Sequence, residues 1–353
     1  MSRIGPDTWS LFPPLEPMEA YVRDDVPTPP GWAYEPKWDG FRALAWSHGA
    51  QRSAVRLDSR NGKPLLRYFP ELEPALARLP DGTVVDGEIV LVQNGKLDFD
   101  GLQNRLHPAE SRVRRLAAET PASFVAFDLL AFRGEDLRLR PFRERRGALV
   151  ELLADLEPPW YLTPSTEDLN TARRWFVEFE AAGCDGIVAK ALDRPYQEGK
   201  RGMIKVKHRR TVDVVVGGFR LSSDGAKVGS LLLGLYDAAA ALHFIGHCSS
   251  FSDKAARDLV QRLEPLRTTE SFGAEARRPG GPSRWAADRD LSWEAVRPEL
   301  VVEVSYDQLT GGRFRHATRF ERWRFDKDPR DCTMDQLERP SGSGFDDIVA
   351  AAG

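Results

Sequence analysis

Cysteine, long apolar runs and targeting segments are scarce or absent in this sequence of 353 residues. The three cysteines, Cys184, Cys248 and Cys332, form no Cys-x-x-Cys pair, which argues against a structural zinc site and against a disulfide framework. No apolar run approaches the length of a membrane span, and the stretch Met1–Ala20 lacks the basic and apolar regions of a secretory signal. We therefore predict a cytoplasmic protein with no membrane association.

Lysine is also scarce, with 10 lysines against 40 arginines. Arginine stays protonated and cannot act as a nucleophile, whereas a lysine can do so once its pKa is lowered. We therefore expect lysine to be kept where arginine cannot serve. The lysines that follow from this argument as candidates are Lys37, Lys190, Lys205, Lys207 and Lys327.

Net charge is −3, so total charge does not indicate a polyanionic partner. Basic residues are nevertheless clustered in three stretches, residues 138–146, 200–210 and 313–324. Solvated helix faces and strand edges would explain any one of them. Three clusters in a chain of negative net charge favour a basic groove that contacts phosphates.

Patterning predicts an α+β protein with two domains. In residues 1–210, buried strands at 83–92, 122–132 and 185–190 alternate with helices at 141–156 and 165–184, the second with a Ser/Thr cap and Gly183 at its end. Residues 211–330 contain five strand-like segments and one helix, the helix at 252–266 capped by Ser252 or Asp253, which is typical of a small β-barrel of the oligonucleotide-binding type. The five strand segments are 211–220, 229–237, 241–248, 300–310 and 317–325. Residues 331–353 are predicted to form a C-terminal tail.

The stretch "YEPKWDGFRALAW", Tyr34 to Trp46, places a lysine beside an Asp-Gly turn. Lys-x-Asp-Gly alone is a weak signal, since a strand that ends in a Trp-Asp-Gly turn would explain it. Glu35 and Arg42, which flank it, make a chance match much rarer. Six further segments follow in order: "SRNGK" (59–63), "DGEIV" (86–90), "FVAFDLL" (124–130), "DGIVAK" (185–190), "IKVK" (204–207) and "RFERWRFDKDP" (319–329).

With these motifs the chain, over residues 17 to 330, resembles the covalent nucleotidyltransferase superfamily, which joins the ATP-dependent DNA ligases to RNA ligases and mRNA capping enzymes. It is most similar to the small stand-alone bacterial repair ligases of the C class. The resemblance implies a nucleotidyltransferase (adenylation) domain of antiparallel sheets and helices, followed by an OB-fold β-barrel. It also implies that Lys37 attacks ATP to form lysyl-AMP, with Mg²⁺ or Mn²⁺, and that nicked double-stranded DNA is then sealed.

Two lysines on one strand offer a reason for Lys37 to lose its proton. Lys205 and Lys207 flank Val206, so both side chains point to the same face of a strand. There they would neutralise the α-phosphate and lower the pKa of Lys37. The alternative is an edge strand that carries lysines to prevent aggregation.

Glu88 and Asp185 adjoin apolar strands, and a divalent cation is a suitable partner for such carboxylates. The resemblance implies that both hold the metal, although most relatives carry Glu in place of Asp185. The alternative for Asp185 is an ordinary Asp-Gly turn.

The resemblance further implies how ATP is held. Phe127 would stack on the adenine, although a core position is the usual fate of such a residue. Glu35 would lie at the adenine and favour ATP over GTP, and Arg42 and Arg60 would hold the ribose and phosphate side. Further positions that match the nucleotide-binding motifs are Lys190, Arg201, Lys205 and Lys207.

In the barrel, Asp326 and Lys327 follow Arg322 and Arg324. An ordinary charged strand end would look the same. The resemblance instead implies that the barrel closes over the nucleotide, where Asp326 acts in catalysis and Arg322 and Lys327 contact the β- and γ-phosphates before the barrel rotates away.

Two other functions remain open from the sequence. An RNA ligase or a capping enzyme would use the same lysine, and a non-catalytic OB-fold protein would bind nucleic acid without chemistry. The "RWRFDK" segment favours DNA ligation, and the intact motif lysines argue against a non-catalytic protein. We predict a monomer, with a repair polymerase as a further partner.

Overall fold

The computed structural model describes residues 10–47, 55–249, 251–273, 279, 292–337 and 342–352. Its contacts divide the chain into two compact units, with the boundary between Lys207 and His208. The first unit also includes the C-terminal residues from Pro340 onward.

The first unit contains strands β1 to β12 and helices α1 to α5. The strands are β1 (Glu19–Arg23), β2 (Trp32–Pro36), β3 (Phe41–Ser47), β4 (Val55–Ser59), β5 (Thr83–Val90), β6 (Val92–Gln93), β7 (Lys96–Leu97), β8 (Ser123–Phe132), β9 (Glu135–Asp136), β10 (Trp160–Leu162), β11 (Gly186–Ala191) and β12 (Arg201–Lys207). The helices are α1 (Glu73–Leu76), α2 (Phe99–Asn104), α3 (Glu110–Glu119), α4 (Phe142–Leu153) and α5 (Leu169–Glu178), with short 3-10 turns at Leu66–Tyr68 and Pro70–Leu72.

Two sheets organise this unit. One has the order β1-β12-β11-β2, and the other has the order β10-β8-β5-β3-β4 with β9 paired to β8. All pairs are antiparallel except β1 with β12 and β10 with β8. This confirms the predicted α+β class and the mostly antiparallel sheets. The strands predicted from residues 83, 122 and 185 are β5, β8 and β11.

The predicted helix at 165–184 is shorter in the structure, where α5 spans Leu169–Glu178. The Asp168 carboxylate accepts the backbone N–H groups of Asn170 and Thr171, so the helix is capped there and not at the preceding Ser or Thr. Gly183, with φ of 101°, lies in a turn beyond the helix and does not cap it directly.

The second unit contains strands β13 to β21 and helix α6. The strands are β13 (Arg210–Leu221), β14 (Val228–Tyr236), β15 (Leu242–Cys248), β16 (Arg267–Thr268), β17 (Glu294–Val296), β18 (Val301–Tyr306), β19 (Leu309–Thr310), β20 (Arg313–Phe314) and β21 (Arg319–Trp323). Helix α6 spans Asp253–Leu263, and 3-10 turns lie at Glu264–Leu266, Pro329–Asp331 and Met334–Leu337. The five predicted strands and the predicted helix are all present, and Ser252 caps the helix by accepting the Ala255 N–H.

The main sheet of this unit has the order β15-β14-β13-β17-β16, and β18 pairs with β13 and β21. Among the described residues the strands do not form a closed barrel with a continuous ladder. An isolated bridge between Cys248 and Thr318 joins the end of β15 to the residue before β21. The unit therefore has the strand content of the predicted barrel but is closed there by a single bridge.

Residues predicted to form a separate tail are divided between the two units. Residues 331–337 belong to the second unit, whereas α7 (Phe345–Ala350) packs in the first. Phe345 and Ile348, three positions apart, present one apolar face and are buried. The ring centroids of Phe345 and Trp38 are 5.8 Å apart. No helix in the described parts of the chain is long and apolar enough to cross a membrane.

Candidate active site

A cavity of about 330 Å³ lies between the two sheets of the first unit, within the size range of small-molecule sites. Its floor follows from strand register: Val22, Lys205, Val188 and Glu35 are paired successively across β1, β12, β11 and β2, and all four line the cavity. Nine of the residues predicted from sequence line it: Glu35, Lys37, Arg42, Arg60, Glu88, Phe127, Lys190, Arg201 and Lys205. The fold therefore brings together motifs that are up to 170 positions apart, from Glu35 to Lys205.

Backbone contacts hold Lys37 at the cavity wall. Its N–H donates to the Gly186 carbonyl and its carbonyl accepts from the Asp185 N–H, both at 2.8 Å. The turn that follows requires glycine, since a Cβ on Gly40 would lie 2.2 Å from the Ile89 carbonyl oxygen. The turn after β2 thus presents the Lys37 side chain with its main chain fixed.

Asp185 lies between two lysines. Its Oδ2 atom is 2.8 Å from Lys37 Nζ and 3.0 Å from Lys207 Nζ. The Asp185 side chain is 1% exposed, whereas the Lys37 side chain is 21% exposed. Burial alone would raise the pKa of Asp185, but the two ammonium groups outweigh burial and lower it. Asp185 is therefore ionised and holds Lys37 as an ion pair.

The pKa of Lys37 shifts in the direction opposite to the sequence prediction. Burial favours the neutral amine, but the carboxylates of Asp185, Glu88 and Asp39 together outweigh burial and raise the pKa of Lys37. The lysine whose pKa is lowered is Lys205, through burial and then through repulsion by Lys37 and other cations. Release of the Lys37 proton therefore requires that the pull of these carboxylates be weakened.

Glu88 lies on the cavity wall, and burial raises its pKa to about 8 against the opposing attraction of Lys37 and Arg42. Two further carboxylates, Asp39 and Asp86, add to the increase. The register of β3 and β5 places Arg42 directly opposite Glu88. Glu88 thus holds a proton at pH values where an ordinary glutamate has lost it.

Glu88→Gln should therefore become more stable relative to the wild type as pH rises. Between the ordinary pKa of 4.5 and about 8 the unfolded chain releases the Glu88 proton while the folded chain retains it. Wild-type stability should fall across that window by up to ~1.4 kcal/mol per unit of pKa difference, and Gln, which does not ionise, removes this loss. Thermal unfolding at pH 5 and pH 8.5, with the exposed-site variant Glu151→Gln as control, measures the change. A constant difference between Glu88→Gln and wild type at the two pH values would contradict the assignment.

Glu35 and Lys190 form a buried pair beside Phe127. Lys190 Nζ is 2.8 Å from Glu35 Oε2 and donates to the Phe127 carbonyl oxygen at 2.7 Å. The same Nζ lies 4.6 Å from the centroid of the Phe127 ring, and Arg42 Cζ lies 5.5 Å from it. Glu35 Oε1 is buried and has no hydrogen-bond partner among the described residues. An unpaired acceptor at the cavity wall suits a ligand that donates a hydrogen bond.

Asp86 and Tyr196 support Arg42, and the sequence prediction passed over both. Asp86 accepts from Arg42 Nε at 3.0 Å and from Nη2 at 2.7 Å, and the Tyr196 hydroxyl donates to Asp86 at 2.7 Å. Asp86 lies two positions before Glu88 on β5, so the alternation of a strand places the two carboxylates on one face. That spacing was a usable signal for Asp86; nothing local in the sequence indicated Tyr196.

Glu19, also passed over, holds two arginines at the cavity rim. Its carboxylate forms ion pairs with Arg60 and, at 3.7 Å, with Arg201. The hydrogen bond from Arg60 is the main cause that lowers the pKa of Glu19. Both predicted arginines are thus at the cavity, each engaged with the same carboxylate.

A divalent cation would find two carboxylates near Lys37. No group of three or more His, Cys, Asp or Glu side chains able to hold a metal is present in the described part of the chain. Glu88 lines the cavity, and Asp185 Oδ1 is buried with no hydrogen-bond partner among the described residues. Two carboxylates suit Mg²⁺, which commonly takes one or two from the protein and the rest from phosphates and water.

In the second unit, the predicted phosphate contacts form a charged cluster around Asp213. Arg324 Nη1 lies 2.8 Å from Asp213, and Lys327 Nζ lies 3.1 Å from it. Arg324 also binds Asp326, and its hydrogen bond lowers the pKa of Asp326 to about 2. The remaining predicted residue, Arg322, pairs with Glu303 on β18.

The predicted arginine cluster at 138–146 is engaged in the fold. Arg145 is buried and binds Asp128 through two hydrogen bonds, and Arg146 donates to the Thr163 carbonyl. The remaining arginines of this cluster form ion pairs with nearby carboxylates: Arg138 with Asp136 and Glu198, Arg140 with Glu135, and Arg143 with Asp193. This cluster is therefore mainly structural, and it contributes less to a basic groove than the sequence suggested.

Two family profiles match the chain, one for each unit. The profile described as "ATP dependent DNA ligase domain" matches residues 19–207. The profile described as "ATP dependent DNA ligase C terminal region" matches residues 224–327.

Named proteins match over nearly the whole chain. DNA ligase C2 of Mycolicibacterium smegmatis is 51% identical over 347 residues, which cover 94% of this chain and 97% of that protein. DNA ligase C of Mycobacterium tuberculosis is 47% identical over 355 residues, which cover 96% of this chain and 98% of that protein. Among solved structures, a Lig E DNA ligase aligns with a TM-score of 0.53 at 16% identity, over 89% of this chain and all of that one, which is a likeness of fold alone.

Proposed function

The chain belongs to the ATP-dependent DNA ligases, and from this membership and the cavity around Lys37 we propose that it seals nicks between a 3′-hydroxyl and a 5′-phosphate in DNA repair. The observation that carries the proposal is the position of Lys37. Its partly exposed amine lies at a cavity lined by motif residues from both sheets. An amine at such a wall can attack a phosphate bound in the cavity.

In the first step Lys37 attacks the α-phosphate of ATP. A phosphorus–nitrogen bond forms, the bond to the bridging oxygen breaks, and pyrophosphate leaves. The amine must be neutral to attack, so the proton held by the raised pKa of Lys37 is released first. Lys205, on the cavity floor, and Lys207, beside Asp185, supply positive charge for the α-phosphate.

Adenine recognition follows from the unpaired acceptor of Glu35. Its free Oε1 atom can accept a hydrogen bond from the exocyclic amino group of adenine. Guanine carries a carbonyl oxygen at the same ring position, which would meet a buried acceptor without a proton between them. Phe127 offers a ring for stacking, and Arg42 and Arg60 extend toward the ribose and phosphates.

Glu88 and Asp185 would hold Mg²⁺, or Mn²⁺ in its place, together with phosphate oxygens and water. Bound there, the cation would offset charge at the α-phosphate and weaken the hold of the two carboxylates on the Lys37 proton. The carboxylates themselves orient Lys37, as the ion pair with Asp185 indicates.

In the second step AMP passes from Lys37 to the 5′-phosphate of the nick, and in the third the 3′-hydroxyl displaces AMP. Asp326, with Arg322 and Lys327, is assigned to pyrophosphate during the first step by the motif, and that assignment stays a prediction. The monomeric state, the repair polymerase partner and the cytoplasmic location also stay predictions.

Incubation with α-labelled ATP and Mg²⁺, followed by a denaturing gel, tests this function. The label should stay on the protein, pass to a nicked duplex that bears a 5′-phosphate, and be absent when γ-labelled ATP is used. A capping enzyme would be labelled by α-labelled GTP, and an RNA ligase would prefer a nick in RNA. A protein that takes no label from ATP would contradict the proposal.

Affinity for nicked DNA should fall with salt, since each neutralised phosphate releases counterions. Because the arginines at 138–146 are engaged within the fold, Arg140→Ala and Arg143→Ala should leave the slope of log K against log salt nearly unchanged. Replacing a residue that contacts a phosphate would reduce the slope by roughly 0.9. Fluorescence anisotropy from 50 to 200 mM salt measures the slope; an unchanging affinity in the wild type would exclude phosphate contacts.

A further inference from the structure

A buried network at the inner end of the cavity connects Arg42 to the segment before β1. The Asp86 carboxylate receives two hydrogen bonds from Arg42 and one from the Tyr196 hydroxyl. The Tyr196 oxygen in turn accepts the Met18 N–H at 2.8 Å, and Arg42 Nη1 donates to the Met18 carbonyl at 2.6 Å. Asp86 and Tyr196 are buried, and Arg42 reaches the cavity.

The network has an excess of directional constraint at Arg42. A guanidinium held by two bonds to one carboxylate is fixed in its plane. The Tyr196 hydroxyl binds the same carboxylate oxygen that receives Arg42 Nη2, and it lies 3.4 Å from that Nη2. Burial and the neighbouring Asp86 raise the pKa of Tyr196, so its hydroxyl keeps the proton that it donates.

Met18 extends the same constraint to the cavity rim. Both polar groups of the Met18 backbone are bound within the network, to Tyr196 and to Arg42. The next residue is Glu19, which binds Arg60 and Arg201. One buried hydroxyl therefore lies behind the orientation of several cations on one side of the cavity.

We infer that Tyr196 is a positioning residue for nucleotide binding: its hydroxyl orients the Asp86 carboxylate, which in turn holds Arg42 against the nucleotide. The inference rests on the proposed adenylylation of Lys37. Tyr196 touches neither Lys37 nor the cavity lining, so its effect should fall on the concentration of ATP required and not on the attack itself. Within one ligase reaction this separates Tyr196 from Lys37.

Tyr196→Phe removes one oxygen atom and tests the inference against a matched control, Tyr34→Phe. Tyr34 is also buried, and its hydroxyl donates to the Pro27 carbonyl at 2.6 Å on the face of β2 away from the cavity. Single-turnover labelling with α-labelled ATP should show a roughly tenfold higher half-saturating ATP concentration for Tyr196→Phe, as expected for one hydrogen bond to a charged group. The limiting rate should change by less than about threefold. Tyr34→Phe should match the wild type in both.

A double-mutant cycle with Asp86→Asn separates positioning from general loss of stability. If Tyr196 acts through Asp86, the double variant should need no more ATP than Asp86→Asn alone, whereas independent effects would multiply. Should Asp86→Asn fail to fold, the comparison of Tyr196→Phe with Tyr34→Phe still decides. Equal ATP dependence in those two variants would overturn the inference while leaving the proposed function intact. An unlabelled wild-type protein would overturn the proposed function instead.

Discussion

Lys37→Arg should lose covalent labelling by α-labelled ATP by at least about 1,000-fold, because the guanidinium stays protonated and provides no nucleophile. The substitution keeps a positive charge opposite Asp185, so the ion pair and the fold should persist. Gel labelling and a thermal melt measure the two effects. Lys96→Arg, on the exposed part of β7, is the matched control and should be labelled like the wild type.

A nick that already carries a 5′-adenylate bypasses the need for the Lys37 amine. Lys37→Arg should therefore retain sealing of such a nick, because in the proposed mechanism only the 3′-hydroxyl attacks at that stage. Persistent labelling of Lys37→Arg would move the nucleophile elsewhere. Lys205 would then be the first candidate, since it lines the cavity and its pKa is lowered.

The motifs allowed the cavity to be predicted because each carries a local pattern that survives in the sequence. Lys205 and Glu88 lie on strands whose alternation sets the face on which a side chain lies, and both line the cavity. Register then places Glu88 opposite Arg42. Residues that act through strand position are therefore predictable from sequence once the strands are recognised.

Partners that come from distant segments were not predictable in this way. The hydrogen bond between Tyr196 and Asp86 joins residues 110 positions apart, and no periodicity connects them. The pKa of Lys37 was predicted with the wrong direction for the same reason. The sequence argument weighed the lysines of β12 but not the combined field of Asp185, Glu88 and Asp39, which only the folded chain assembles.

Arginine clusters show a further limit of sequence. Arg145 lies in a basic run, but it is buried against Asp128, since α4 turns that side chain toward β8. A cluster of like charges along the chain indicates a basic surface only when its members have no carboxylate partners. Those partners, such as Asp193 for Arg143, lie in other segments of the first unit.

Asp185→Asn should lower the limiting rate of adenylylation by roughly 100-fold or more, since Lys37 loses the carboxylate that holds its amine in place. The same change should shift the pH dependence in a set direction. Asp185 raises the pKa of Lys37, so its removal lowers that pKa, and the rising limb of the pH–rate profile should move to lower pH. Labelling rates from pH 6 to 10 at saturating ATP measure both effects.

Two variants distinguish loss of the lysine ion pair from general damage or from loss of a metal ligand alone. Asp58→Asn makes the same chemical change at a buried carboxylate that pairs with Arg56 outside the cavity, and its labelling rate should be unchanged. Asp185→Glu keeps the charge and should recover much of the activity. If excess Mg²⁺ or Mn²⁺ restored Asp185→Asn to the wild-type rate with no shift in the pH profile, Asp185 would act only through the cation. We expect no such recovery, because the measured contact of Asp185 is with the two ammonium groups of Lys37 and Lys207, and a neutral amide cannot balance them.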